Sequence, residues 1–300
     1  MKKLLLTGAS GFLGYNICRY TQANWEIYGT YYTHKVNIDN VTLFKVDITD
    51  IEALQKIFQQ IKPDAVLHLA AASKPNYCQN NPETAYKINV TASINIAKLC
   101  ADRDLPCVFT STDLVFNGLD SPYKESDPVS PISYYGEQKV EAEQKMLAIY
   151  PKTVICRMPL MFGLPSPFAA SFIQFFLTTF RQGKKLSLFT DEYRTPVSAL
   201  IATEGLLLAL EKGEGEIIHL GGKQRISRYE FGNLMAEIFD FSQDLITPCL
   251  QKDVPMAAPR SPDTSLDSSK ASRLGYQPLS LREQLQQLKD NDLINSDNHH

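Results

Sequence analysis

The chain has 300 residues, 44% of them hydrophobic and 21% charged, enough for one large domain or a domain plus a smaller lobe around a core of ordinary size. Its 30 Lys and Arg are scattered against 33 Asp and Glu, for a net charge of −3, which excludes nucleic acid as the main partner. None of the six cysteines (Cys18, Cys78, Cys100, Cys107, Cys156, Cys249) forms a CxxC pair, so no zinc site is expected and the thiols read as small buried hydrophobes of a reducing compartment.

In chain order, residues 2–6 form a short apolar run that stops at Thr7-Gly8, well short of the roughly 7–15 residues of a signal core. No window approaches the ~18 apolar residues of a membrane span. A soluble, cytoplasmic protein without a membrane partner is therefore expected. The first run predicts a strand, followed by a glycine-rich turn and a helix over 12–22 with Leu13, Ile17 and Tyr20 on one face. Residues 26–32 and 43–46 predict strands, and 51–61 a helix carrying Ile51, Leu54, Ile57, Phe58 and Ile61. A strand over 65–70 leads to one long helix over 83–101, then a strand over 107–111, a helix over 134–149 and a strand over 153–157.

Strands apolar on both faces and separated by amphipathic helices predict a doubly wound parallel sheet, the Rossmann-type α/β class. After Pro159, Pro165 and Pro167 the pattern loosens. An aromatic helix is expected over 168–180 (Phe168, Phe172, Phe175, Phe176, Phe180), serving as core or subunit contact. A helix over 198–212 and a strand over 217–220 return to the main domain. Beyond 221 only helices are expected, over 229–239 and 281–288. The predicted division is a dinucleotide-binding domain over 1–160 with 198–220, a smaller substrate-binding lobe over 161–197 and 221–290, and a polar tail over 291–300. His299 and His300 are set aside as a native end or a tag stub.

Gly8-Ala9-Ser10-Gly11-Phe12-Leu13-Gly14 joins the first strand to the first helix. Gly8 permits the tight turn, Gly11 lets backbone approach a pyrophosphate, and Gly14 lets the helix pack close to the sheet. The helix N-terminus offers N–H groups to phosphates. An acid is expected about 20 residues later to hold the adenine ribose, but Tyr31 stands there and His34-Lys35 follows. Missing acid and nearby base favour a 2′-phosphate, hence NADPH, with NADH as the alternative. Asp47 and Ile48, after the third strand, are candidates for the adenine.

Tyr135 and Lys139 fit Y-x-x-x-K. Four residues make about 400° of helix, so both side chains share a face. A phenol is a poor acid–base group at neutral pH unless a cation favours its phenolate, a role for Lys139. Tyr31 and Lys35 match the same pattern at a strand end, but only Tyr135 begins the helix that follows Thr110-Ser111-Thr112-Asp113. Thr112 is placed to donate a hydrogen bond to a carbonyl oxygen. Asn89, in the long helix, either holds a water near Lys139 or is a structural Asn. His68 is expected as a satisfied core histidine.

Together the glycine loop, Leu69-Ala70-Ala71-Ala72, Asn89, Thr110 to Asp113 and Tyr135/Lys139 resemble the extended short-chain dehydrogenase/reductases. Residues 110–118 with Pro122-Tyr123 and Glu125, and Pro259-Arg260 with residues 264–270, resemble the dTDP-4-dehydrorhamnose reductase family. Leu114 and Asn117 depart from that pattern, where Tyr and Asp are usual. Residues 70–89 are similar to the beta subunit of methionine adenosyltransferase. The resemblance implies reduction of a nucleotide-sugar 4-ketone by NAD(P)H. Thr112 would then orient the ketone, Tyr135 act as acid, and Lys139 bind the nicotinamide ribose. Leu69, Ala70, Ala71, Asn89 and Thr110 would line the cofactor, and Arg194 and Arg260 would hold the substrate diphosphate. The beta-subunit likeness implies a non-catalytic subunit partnered by a synthetase, and a second copy of the chain, as a homodimer, is the other protein partner considered. A dehydratase or epimerase of the same superfamily is the third implication, although the acid pair of a dehydratase is halved because Leu114 follows Asp113.

Overall fold

The short apolar runs become strands because their side chains are buried on both faces, Leu4, Leu5 and Leu6 being fully buried. The computed structural model describes residues 1–21 and 24–296, with side chains to 291. Six strands, β1 (Lys2–Thr7), β2 (Trp25–Tyr31), β3 (Val41–Lys45), β4 (Ala65–His68), β5 (Cys107–Thr112) and β6 (Val154–Met158), join the strand Ile217–His219 in one sheet. Its order is Ile217–His219, β6, β5, β4, β1, β2, β3, and every pairing is parallel. The chain runs outward from β1 to β3, then crosses back to β4. The loops leaving β1 and β4 therefore diverge and open a crevice at their carboxyl ends.

Helix α1 (Phe12–Tyr20) packs on one face of the sheet, and α2 (Ile51–Ile61) on the other. Asp50 caps α2 by accepting from the Ala53 N–H at 3.0 Å. The segment expected as one helix over 83–101 is interrupted. Short helices α3 (Pro75–Asn80) and α4 (Pro82–Tyr86) lead into a π-helical turn at Lys87–Thr91, and α5 (Ala92–Ala101) follows. Pro82 starts α4 where a helix accepts it, and the π turn rotates Asn89 toward the loop after β4. Helix α6 (Tyr134–Ile149) keeps its expected bounds, capped by Ser133.

A separate apolar core gathers Phe162, Ile173, Phe176, Phe180, Phe231, Met235 and Leu285. It is built on α7 (Phe172–Arg181), α9 (Arg228–Ile238) and α11 (Leu281–Ser296), while α8 (Ala199–Lys212) returns to the sheet. The aromatic helix begins at Phe172 rather than 168. Phe176 and Phe180 enter the core, but Phe168 lies in the preceding turn and Phe175 is exposed. The expectation of no strand beyond 221 is overturned. Ile226–Ser227 pairs with Tyr193–Arg194, and Ile246–Cys249 pairs with Leu186–Phe189. Strands of two to four residues hold too few alternations to show a period. The segment 269–276, with α10 (Ser269–Leu274), expected in the lobe, instead places Ala271 and Tyr276 in the core beneath the sheet. Helix α11 extends into the expected polar tail, and residues 297–300, with His299 and His300, lie outside the described residues. Among the described residues no helix is long and apolar enough to cross a membrane.

Candidate active site

The crevice holds a cleft of about 640 Å³, walled by the glycine loop, the end of β2, the loop after β4 and the start of α6. Gly8 has φ +74°, and a Cβ there would lie 2.9 Å from Ala70 Cα. A Cβ on Gly14 would lie 2.3 Å from the Gly8 carbonyl oxygen, so only glycine lets α1 start against the turn. The N-cap Gly11 has no side-chain cap, and the first turn of α1 carries no acid. That helix end is left to an external anion, and the cradle fits a dinucleotide pyrophosphate.

Of the residues singled out from the sequence, Gly8, Ser10, Gly11, Phe12, Leu13, Gly14, Tyr31, His34, Asp47, Ile48, Leu69, Ala70, Ala71, Thr110, Tyr135 and Lys139 line this one cleft. Tyr32, Thr33, Thr49, Ser73, Thr84, Lys87, Ile88, Met158, Met161, Phe168 and Ala169 join them without having been foreseen. Most lie on loops or on the lobe, where no periodic signal marks them. Lys35 is exposed and stands off the cleft wall. Asp47 turns one oxygen inward to cap its own loop, accepting from the Thr49 N–H at 2.9 Å and the Thr49 hydroxyl at 2.7 Å.

Asn89 does not reach the cleft or Lys139. Its Oδ1 accepts from the Ala72 N–H at 2.8 Å, while its Nδ2 donates to the Ala72 carbonyl at 3.2 Å and to Gln138 Oε1 at 2.9 Å. It therefore fixes the loop after β4 and ties it to α6. A second buried network supports the same loop from below. The Thr7 hydroxyl accepts from the Leu69 and Ala70 N–H groups, both at 3.1 Å, and contacts His68 Nδ1 at 2.7 Å. His68 Nε2 meets the Ser93 hydroxyl at 3.0 Å. Burial, and secondarily the Lys139 charge, drive the His68 pKa down to about 3. The histidine is neutral and satisfied, as its place in a buried strand implied.

Tyr135 and Lys139 share the inner face of α6. Lys139 is almost completely buried and donates to the Thr110 carbonyl at 2.6 Å, with its ammonium 3.8 Å from the Phe109 ring centre. Burial pushes its pKa down to about 7, against the upward pull of Glu143 one turn below. The Tyr135 pKa is raised, first by burial and then by Asp113 and Cys78, while the Thr112 hydroxyl beside it pulls the other way. Lys139, whose ammonium donates to the Thr110 carbonyl, is not among the groups that shift the phenol, and burial outweighs the rest. The phenol is protonated at neutral pH, which suits a proton donor.

Gly136 brings this pair to the strand. A Cβ there would lie 2.3 Å from the Leu114 carbonyl oxygen, so α6 presses directly on the turn after β5. Thr112, buried just behind the wall, accepts from the Leu114 N–H and donates to Asp113 Oδ1, both at 3.2 Å. Asp113 accepts from Thr264 at 2.9 Å and faces Arg194 Nε at 3.4 Å. Arg194 is itself buried, donating to the Tyr193 carbonyl at 2.7 Å and the Ser261 carbonyl at 3.2 Å. Its expected contact with a substrate diphosphate is therefore corrected to an internal brace for Asp113. Arg260 is partly exposed, and its Nη2 donates to Asn76 at 3.3 Å. Below the site, Glu143 accepts from Ser111 and pairs with Arg157 at 2.9 Å, in a buried network no sequence pattern marked.

The sheet order and its glycine cradle define a doubly wound, Rossmann-like α/β protein. More narrowly, the chain belongs to the RmlD substrate binding domain family, whose model matches residues 1–293. It is 30% identical over 268 residues to a probable low-salt glycan biosynthesis reductase of Haloferax volcanii, covering 88% of this chain and 89% of that one. It is 27% identical over 281 residues to methionine adenosyltransferase 2 subunit beta of Xenopus laevis, covering 91% and 83%. Among solved structures, a dTDP-4-dehydrorhamnose reductase from Clostridium acetobutylicum superposes with a TM-score of 0.83 at 26% identity, covering 98% and 99% of the two chains.

Proposed function

We propose that this protein is an NAD(P)H-dependent reductase of a nucleotide-sugar 4-ketone, with NADPH as the preferred cofactor. The observation that carries the reading is the shared cleft, in which the glycine cradle and the Tyr135/Lys139 pair face one space. The glycine loop and the N-terminus of α1 would hold the pyrophosphate, with Tyr31, His34, Asp47 and Ile48 at the adenosine end and Lys139 at the nicotinamide ribose. When bound, the dinucleotide supplies hydride.

The chain supplies the proton and the positioning. The Tyr135 phenol donates its proton to the ketone oxygen, and its raised pKa keeps that proton in place until the oxygen becomes basic. Thr112 would orient the same oxygen by turning its hydroxyl proton from Asp113 Oδ1 to the ketone. Tyr31 stands where an acid would follow β2 and His34 is on the wall, which supports NADPH, while Asp47 at the same end caps its own loop and Lys35, off the wall, adds only its charge. Arg260 remains the candidate for the substrate diphosphate. The lobe over 161–197 and 221–290, less the α10 segment, is the substrate-binding part in this reading.

Likeness to the methionine adenosyltransferase beta subunit favours a second reading, a non-catalytic dinucleotide-binding subunit of a synthetase. NADPH oxidation with a panel of nucleotide-linked 4-keto-6-deoxysugars separates the two. Substrate-dependent consumption, abolished in Tyr135→Phe while NADPH binding survives, is the expected result. Binding without consumption across the panel would favour the subunit reading, and full activity in Tyr135→Phe would exclude the proton-donor role.

A further inference from the structure

The lobe reaches across to the cofactor side at residues 163–169. Asn16 of α1 donates to the Leu164 carbonyl at 2.9 Å and to the Phe12 carbonyl at 2.8 Å. The buried Ser166 hydroxyl donates to the Ser10 carbonyl of the glycine loop at 3.1 Å. The same oxygen accepts from the Phe168 and Ala169 N–H groups at 3.3 and 2.9 Å, and the Ser166 N–H donates to the Ala169 carbonyl at 2.7 Å. Residues 166–169 are thus a tight turn organised by one serine and fastened to the phosphate cradle.

Phe168 stands at the tip of this turn, 54% exposed and outside the lobe core. Its ring stacks on His34 from the far wall of the cleft, with centroids 4.5 Å apart and planes 14° from parallel. Both side chains line the cleft, and His34 follows the end of β2, where the adenosine half of a dinucleotide lies. A large apolar ring held in this way against the mouth offers a flat face to a purine, and every base has a π-face to match it.

We propose that the turn 166–169 is a cofactor clamp contributed by the lobe, with Phe168 closing over the adenosine end and Ser166 fixing it to the glycine loop. The clamp rests on the dinucleotide reading above. It makes retention of the cofactor depend on a lobe that otherwise belongs to the substrate side.

The test uses the full chain and reads binding rather than turnover. NADPH affinity and dissociation rate are followed by nicotinamide fluorescence, and 2′,5′-ADP is titrated as the adenosine half by displacement. Phe168→Ala is expected to raise the Kd of both probes roughly tenfold, about 1.4 kcal/mol, through faster dissociation. Phe168→Tyr keeps the ring and should stay within about twofold of the wild type, as should Phe175→Ala, an exposed lobe aromatic away from the cleft. An unchanged Kd and dissociation rate in Phe168→Ala would overturn the clamp while leaving the dinucleotide site intact. So would weaker NADPH binding with 2′,5′-ADP unaffected. Failure of the wild-type chain to bind both of these probes and NADH as well would remove the dinucleotide reading and the clamp with it.

Discussion

Replacing Gly136 by alanine tests whether the site depends on the close seating of α6. The added Cβ would meet the Leu114 carbonyl oxygen at 2.3 Å and Pro131 Cβ at 2.8 Å. Neither is the end of a flexible side chain, so the helix start and the turn after β5 must separate by about 1 Å to reach an ordinary contact. That turn is capped by Thr112 at the end of β5, whose hydroxyl accepts from the Leu114 N–H, and the helix carries Tyr135 next to Gly136. The displacement therefore falls on the two groups proposed to act on one ketone oxygen. A misplacement of this size costs roughly 100-fold in kcat/KM, about 2.7 kcal/mol. The overpacking itself should lower stability by about 1–3 kcal/mol. NADPH affinity should remain within about threefold, because the glycine cradle lies between β1 and α1, away from this contact. Steady-state NADPH oxidation, fluorescence titration and thermal melting read the three effects. A kcat/KM within about threefold of the wild type would refute the claim that this contact sets the geometry.

Two further predictions concern buried titratable groups. Glu143→Gln leaves the Arg157 guanidinium buried without its 2.9 Å counter-charge, so urea denaturation should show a loss of about 3–5 kcal/mol. Adding Arg157→Met should recover part of that loss, and an additive double mutant would contradict the pairing. His68 and His219 both have pKa values lowered from 6.5 to about 3, chiefly by burial, so between these values the unfolded chain binds more protons than the folded one. Their stabilising effect is complete above pH 6.5 and is lost as pH falls below it, by about 2 kcal/mol for each at pH ~5. His68→Asn should shrink the drop in unfolding free energy between pH ~7.5 and ~5, and a drop of unchanged size would refute the assignment.

The glycine loop, the strand–helix alternation and the Tyr135/Lys139 pair were legible because each is a local pattern. Spacing along one helix places two side chains on one face whatever surrounds it, and a glycine turn between strand and helix limits its own backbone. The parallel sheet followed from strands apolar on both faces. What the amino-acid order did not show depends on approach between distant segments. Arg194 reads as a surface cation until Asp113 and Glu192 are found beside it in the interior. Asn89 reads as helical until the π turn aims it at Ala72. Phe168 belongs to an aromatic run in the sequence, yet its turn is fixed by a hydrogen bond from Ser166 to Ser10, 156 residues away. Such contacts are decided by tertiary packing, because the free energy of burying a charge or seating a ring depends on what the fold brings against it.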